Sequence, residues 1–544
     1  MGLLSTVSSW ATLPVHGGVI CLYFIIDRLV TYFKFRHIPG PWWTGLSSSP
    51  HSKHIMGPRV HEWYAELSEK YGPIVRIAPG ILVTSSPDLW THVNKNPAYK
   101  RTDWYYHACR VEYRRDNIFT QTDNAKHDAR RKQMAPGVHP FPPFPLSAST
   151  TDKTQYSGRE NLDLEPTIDA RLNDLLTLIR TKYLSTESRI VPMDLAQKVQ
   201  YFTLDVISGV GLGKTFGMLT ADADVDGYLQ SAEQGLTAAS FALAFGLSWL
   251  AQAPVIGRFL APSPTDDNGF GRMIAACYRD VDARAARETD KRSDMLASFI
   301  RHGLSGDELR SEALEQIIAG SDTTAAAIRG TLLLIMTNAR VYAKLQREID
   351  DAVRDGIAPA KGEGLVSLEQ TRRLPYLQAV IREALRVKTP VVNIFGRDVP
   401  AGGDTVNVGG ESVYLPGGAC VGYSAYAMHH SKETYGEDTK TFRPERWFEE
   451  DEEKLAAMKS VNDLVFGYGK FLCLGKPVAQ IELAKTIFEA SLLEWIDGRL
   501  IDFATQLFRN FELAPMDPAR PWKAYNAMGL FFISDMWVQV MERK

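Results

Sequence analysis

The chain has 544 residues, 45% of them hydrophobic and 23% charged, with a formal net charge of −3. That balance excludes a disordered tail and a multi-span membrane protein, and it gives no global reason to bind nucleic acid, for which no motif is present either. The length permits several domains, or one large enzyme where no linker divides the chain.

Taken in chain order, residues 1–36 read as an N-terminal membrane anchor. Leu13 to Ile26 is nearly all apolar and is closed by Arg28, Lys34, Arg36 and His37, a positive flank that stays cytosolic. Pro14, His16 and the shortness of the run make it a marginal span, and Asp27 sits at or below the interface at some cost. A cleaved signal peptide is the competing reading. The basic residues follow the apolar run, however, and no small-residue cleavage site is evident. Pro39 and Pro41 in His37-Ile38-Pro39-Gly40-Pro41-Trp42-Trp43 end any helix, so this segment reads as a stiff hinge leading into the globule.

From the hinge onward, residues 37–544 show no composition shift and no repeat, which favours one catalytic domain. Helical periodicity dominates. It predicts helices over His61 to Tyr71, Glu165 to Tyr183, Ala196 to Gly211, Asp267 to Arg287, Leu309 to Thr337, Arg340 to Arg354 and Leu374 to Val387. Pro73 to Val83 and Thr405 to Cys420 are rich in β-branched residues between Gly and Pro, the pattern of short edge hairpins. Gly137 to Gln155 carries four prolines and a Ser/Thr run, and reads as loop.

The five cysteines are Cys21, Cys109, Cys277, Cys420 and Cys473, and none forms a C-x-x-C or another ligand pair. An odd number fits a reducing compartment in which one thiol is kept for chemistry. Cys473 lies in Phe466-Gly467-Tyr468-Gly469-Lys470-Phe471-Leu472-Cys473-Leu474-Gly475, just before a helix expected to begin near Pro477. A thiolate at a loop-to-helix junction is stabilised by backbone N–H groups and the positive helix end. Gly467, Gly469 and Gly475 let backbone approach a flat cofactor, and Phe466 is placed to shield the sulfur. An arbitrary cysteine in a tight turn is far more often structural.

This run resembles the haem-binding loop of the cytochrome P-450 superfamily. The resemblance implies a mainly α fold, large and helical with a smaller β-sheet region, and haem b ligated by the Cys473 thiolate. One position departs: the family usually places an Arg two residues before the cysteine, against a haem propionate, and this chain has Phe471, with Lys470 as the nearest substitute. Glu383 and Arg386, at i and i+3 on one helix, taken alone are a surface pair of little weight. Together with Pro444-Glu445-Arg446-Trp447 they resemble the family's E-x-x-R network, which implies that Glu383, Arg386 and Arg446 form a buried charge cluster behind the cysteine loop. Ala319-Gly320-Ser321-Asp322-Thr323-Thr324 interrupts a long apolar helix with poor helix formers. It resembles the family's oxygen-activating groove, implying that a small residue leaves room for dioxygen, that Thr323 hydrogen-bonds the activated oxygen and that Asp322 relays protons. His127 and Arg131, within a charge run that alone reads as a solvated face, and Arg397 match the family's propionate contacts.

The closest flavour is the fungal microsomal group that includes pisatin demethylase-like enzymes. Asp123-Asn124-Ala125-Lys126-His127 and Tyr156-Ser157-Gly158-Arg159-Glu160-Asn161 suggest it. The resemblance implies a monooxygenase that inserts one atom of O2 into an apolar small molecule, by hydroxylation or oxidative dealkylation, in secondary or xenobiotic metabolism. Electrons come from NADPH through a reductase, which a basic proximal patch including Lys470 and Lys476 would dock. The location implied is the endoplasmic reticulum membrane, with a single N-terminal anchor and a cytosolic catalytic domain. Trp104, Tyr105, Tyr106, the turn before Gly320 and Val391 to Phe395 are expected to line the substrate cavity, though each is equally ordinary core.

Two stretches depart from the family: 138–155 and 490–506 look inserted. The codons for Val138 and Gln155 are compatible with splice-site dinucleotides, so the first is read as a translated intron; a helix extension explains the second equally well. Two other functions remain open. One is a haem-thiolate isomerase or dehydratase, against which Asp322 and Thr323 argue; the other is an inactive haem-free product of the insertions.

Overall fold

The computed structural model describes residues 2–138, 161, 163–267, 269–287, 292–360, 362–489 and 511–542. Both expected insertions fall outside these except for Val138. The chain packs as two compact units, Met1–Thr102 with Ile394–Ala427, and Asp103–Asn393 with Met428–Lys544. Helices predominate and the sheets are small.

The first unit begins with helix α1, Gly2–Phe35, and centres on a five-stranded sheet. Its strands are β1 (Ile74–Ala78), β2 (Ile81–Thr84), β3 (Lys100–Arg101), β4 (Arg397–Asp398) and β5 (Cys420–Tyr423), in the order β1-β2-β5-β4-β3. Val75, Ile77 and Val83 supply a fully buried face against Val60, Tyr64 and Leu67. The proline hinge is bolted to β1: the Arg76 N–H donates to Pro39 O at 2.8 Å, and its Nη1 to Phe35 O at 2.9 Å. A side chain on Gly40 would meet Arg76 O at 2.7 Å, which explains the glycine. Among the described residues no helix is long and apolar enough to cross a membrane, so the spanning anchor expected over Leu13 to Ile26 is not found in α1. Pro14, His16 and Asp27 dilute its apolar run.

The second unit carries the helical body. Its helices include α2 (Asn124–Val138), α3 (Leu195–Leu212), α4 (Tyr228–Ala244), α5 (Gly269–Ala285), α6 (Gly306–Met336), α7 (Pro375–Val387) and α8 (Lys476–Glu489). The predicted helices are found within a few residues, the normal uncertainty of helix ends. The stretch Glu165 to Tyr183 is α-helical over Leu164–Leu178 and closes in a π turn, Ile179–Tyr183. α3 is buried on almost every side and lies against α6. It starts at an Asp194 cap that accepts from the Ala196 N–H, and ends at Gly213 in the left-handed conformation. Gly320 has a structural reason that periodicity concealed: a side chain there would meet Ile207 Cγ1 and Cδ1 at 2.8 Å. The glycine admits close packing of α6 on α3, so its cost in helix propensity is not without structural gain.

Candidate active site

The cysteine loop is built as a folded-back turn. Leu464–Phe466 forms one short helical turn and Gly469–Phe471 a second. Between and after them the Cys473 N–H donates to Phe466 O at 2.7 Å. Gly467 and Gly469 have φ of 79° and 61°, and a side chain on Gly467 would reach Phe471 O at 2.9 Å. A Cβ on Gly475 would lie 3.8 Å from Cys473 Sγ, so glycine keeps the approach to the sulfur open. α8 then starts at Lys476.

Cys473 is exposed by surface area although protein surrounds it on its other sides. That enclosure raises its thiol above the usual range, while the Gly475 and Lys476 N–H groups and the positive charges of Arg131 and Lys476 pull it down. This donor set suits an anionic sulfur that gives its free face to a metal. The Phe466 ring lies 5.2 Å from Lys476 Nζ.

α2 brings His127 to the same place. Its ring, 1% exposed, packs 5.0 Å from Phe471, and its Nδ1 pairs with Asp128 at 2.9 Å. Lys470 Nζ lies over the Phe471 ring at 5.2 Å. The family's missing Arg is thus replaced by a phenyl ring flanked by one imidazole and one ammonium. Arg130, unremarked in the sequence, pins α2 to α6 through Glu308 at 2.7 Å and Glu312 at 2.6 Å. The charge run of α2 is therefore not simply a solvated face. Arg397 belongs to the first unit, where its Nη1 donates to Phe395 O at 2.6 Å and the guanidinium lies over Trp90 at 5.4 Å.

Behind the loop, Arg386 grips Glu383 with two bonds, Nε to Oε2 at 2.9 Å and Nη2 to Oε1 at 2.8 Å. Arg446 Nε adds a bond to Glu383 Oε1 at 2.8 Å and Trp447 Nε1 one to Oε2 at 3.1 Å. Arg386 Nη1 also donates to His429 O and Thr439 O at 2.8 and 2.7 Å. Every partner is satisfied, which is what keeps such a sealed cluster affordable. His429 links the cluster to the helix Glu452–Asp463, which precedes the cysteine loop. Burial lowers that imidazole to about 3, and it bonds Thr389 and the carbonyl of Val461. Asn462 donates to Arg382 O at 3.2 Å, tying the approach to the cysteine onto α7.

On α6 the Thr323 hydroxyl donates to Ala319 O at 2.8 Å. Its lone pairs remain available to a partner. Asp322 Oδ1 accepts from Gln200 Nε2 at 2.8 Å, and Gln200 Oε1 in turn accepts from Arg329 Nη2 at 2.8 Å. Burial pushes the Asp322 carboxyl up to about 6, against the opposing pull of Arg329 and Gln200. The same burial lowers Arg329 to about 10. Ile317 and Ile318, the turn before Gly320, line a small cavity with Asp322. Tyr105, by contrast, is 1% exposed and packs on Phe119 at 5.2 Å, the signature of ordinary core.

Sequence comparison agrees with this geometry. The family model described as Cytochrome P450 matches residues 39–494. Cytochrome P450 monooxygenase ABA1 of Pyricularia oryzae is 34% identical over 97% of this chain and 96% of its own length. Cytochrome P450 monooxygenase aba1 of Botryotinia fuckeliana is 34% identical over 88% of this chain and 86% of its own. Cytochrome P450 monooxygenase abl1 of Leptosphaeria maculans is 28% identical, covering 96% and 86%. The chain belongs to the cytochrome P450 family. It is an oxidoreductase of the haem-thiolate monooxygenase class, using dioxygen and electrons from a redox partner on a small-molecule substrate.

Proposed function

We propose that Cys473 would ligate haem iron and that Asp322 and Thr323 deliver protons, so that one oxygen atom enters an apolar substrate and the other leaves as water. The observation carrying this reading is the cysteine loop, in which glycines at 467, 469 and 475 and two backbone N–H groups present one open sulfur beside Arg131. Haem bound there supplies the site of dioxygen binding and O–O cleavage, favoured by thiolate donation. The protein's residues do the rest. The cluster of Glu383, Arg386 and Arg446 holds the loop, while Phe466, Gly469 and Gly475 would shape the surface that receives the haem. His127 and Arg131, with Lys470 near Phe471, would hold the propionates. Asp322 exchanges a proton with solvent and passes it to the Thr323 hydroxyl.

The balance is substrate C–H plus O2, two electrons and two protons, giving alcohol and water; oxidative dealkylation follows where the alcohol is an unstable hemiacetal. The electrons come from NADPH through a reductase docked near Lys470 and Lys476. The place in secondary or xenobiotic metabolism rests on the resemblance to the fungal microsomal group, and the relatives named above are fungal. The exposed apolar residues Val19 to Phe33 of α1 support attachment to the endoplasmic reticulum membrane, with the catalytic part cytosolic. Turnover under isotopically labelled dioxygen tests the reaction: one labelled atom in the product is expected, and product formed without label would mean an isomerase or dehydratase.

The insertion reading of 138–155 is supported by Asn161, whose Nδ2 donates to Gly137 O at 3.1 Å, so the flanks of that stretch meet. Transcript joining Gly137 directly to Tyr156 is expected; peptides from native protein covering 138–155 would refute it.

A further inference from the structure

α3 contributes to the proton-handling side of α6 a residue that no sequence motif marks. Gln200 is 4% exposed and both ends of its amide are engaged. Its oxygen accepts from Arg329 Nη2 at 2.8 Å, and its nitrogen donates to Asp322 Oδ1 at 2.8 Å. Arg329 is itself anchored, its Nε donating to Ala196 O at 2.9 Å in the first turn of α3. The amide cannot flip without setting two donors and two acceptors against each other, so the order Arg329, Gln200, Asp322 is fixed.

Beside Asp322 lies a cavity of about 20 Å³, lined by Gln200, Tyr228, Ser321 and Asp322 among apolar residues such as Leu204 and Met273. A space of that size holds about one water, which needs two or more polar partners. The Tyr228 hydroxyl is buried and makes no hydrogen bond among the described residues.

We propose that Gln200 is a positioning residue for proton delivery: it ties one oxygen of Asp322 to the Arg329 cation, leaving the other to a single water held in this cavity with the help of Tyr228. The inference rests on the monooxygenase reading for its purpose, but its geometry stands apart from haem. A proton entering at the water reaches Asp322 Oδ2, and the Gln200 bond keeps that carboxylate from rotating toward the arginine. The ionisable groups facing Asp322 among the described residues are Arg329 on α6, Tyr228 on α4 and Tyr525 on the strand Lys523–Ala527. α3 gives the neutral Gln200 and α5 the apolar Met273. Arg329 and Gln200 both favour the charged carboxylate against the burial that opposes it.

The test follows the protonated-carboxyl infrared band of Asp322 across pH in the purified holoenzyme, the band being assigned by its loss in Asp322→Asn. Gln200→Met, which keeps the side-chain length and removes both bonds, is expected to raise the Asp322 midpoint by about one pH unit or more. Gln200→Glu, which keeps the Arg329 partner and turns an acid toward Asp322, is expected to raise it as well, and serves where the Met variant does not fold. Coupling should change with it, a larger share of consumed dioxygen leaving as hydrogen peroxide and a larger solvent isotope effect on product formation. A residue with only a structural role would lower the melting temperature and leave midpoint and coupling unmoved. Unmoved midpoints in both variants overturn the proposal and leave the monooxygenase reading intact. A wild-type protein without thiolate-ligated haem overturns that reading instead, while the infrared midpoint still decides whether Gln200 governs Asp322.

Discussion

Arg446 donates from Nε to Glu383 Oε1 at 2.8 Å, and both side chains are sealed from water. Because Arg386 shares the same carboxylate, replacing Glu383 by Gln leaves the buried Arg386 guanidinium without a counter-charge and Arg446 with Asp438 alone, at 3.2 Å. A loss of about 3–5 kcal/mol is expected. Denaturant unfolding followed by circular dichroism checks it, and the proposed support of the cysteine loop by this cluster predicts that haem content per chain falls in parallel. A variant that unfolds at the wild-type midpoint and retains its haem would contradict this role.

Glu482 on α8 is 1% exposed, its Oε2 has no hydrogen-bond partner among the described residues, and burial holds its carboxyl well above the usual range. The folded state therefore binds this proton more tightly than the unfolded state does. Stability from this group is complete below the unfolded value, near 4.5, and is lost as pH rises through the raised folded value. Glu482→Gln keeps the shape and removes the titration. Urea midpoints from about pH 5 to about pH 9 should fall in the wild type and fall less in the variant; parallel profiles would show that Glu482 is not a buried neutral acid.

Gly320→Ala places a Cβ against Ile207 Cγ1 and Cδ1, at the α3 and α6 contact. Overpacking of this kind costs about 1–3 kcal/mol. Shortening the opposing side chain with Ile207→Val should recover part of the loss, and a double-mutant cycle of melting temperatures reads the coupling. Additive effects would place the strain elsewhere.

Asp322→Asn keeps the side-chain size while its amide can no longer carry a proton. Product formation is expected to fall by about a hundredfold or more, with an enlarged solvent isotope effect and an unchanged haem spectrum. Wild-type rates in the variant would remove Asp322 from the proton path.

Much of this architecture was legible in the sequence. The helices of α3, α6 and α7 follow from apolar residues three and four apart, and the cysteine loop from its glycines and its place before α8. The helix α4 was missed because its small residues and mixed exposure give no clear stripe. The hairpin of Lys523–Ala527 and Leu530–Ser534 was missed because its strands are short and only partly buried. The packing reason for Gly320 is not legible in the sequence because it lies on another helix. The same limit hid Gln200 and Arg329: each looks like an ordinary helical residue until α3 and α6 meet, and the bonds joining them span more than a hundred residues of chain. The spanning anchor was read from a run of apolar residues that the neighbouring polar ones dilute.

The measurement that tests the central claim most directly is the absorption spectrum of the reduced, carbon monoxide-treated protein beside a Cys473→Ala variant. A strongly red-shifted Soret band in the wild type, lost in the variant while the fold is retained, is the expected result. A folded wild-type protein without that band, or a band that survives the loss of Cys473, would contradict Cys473 as the haem ligand.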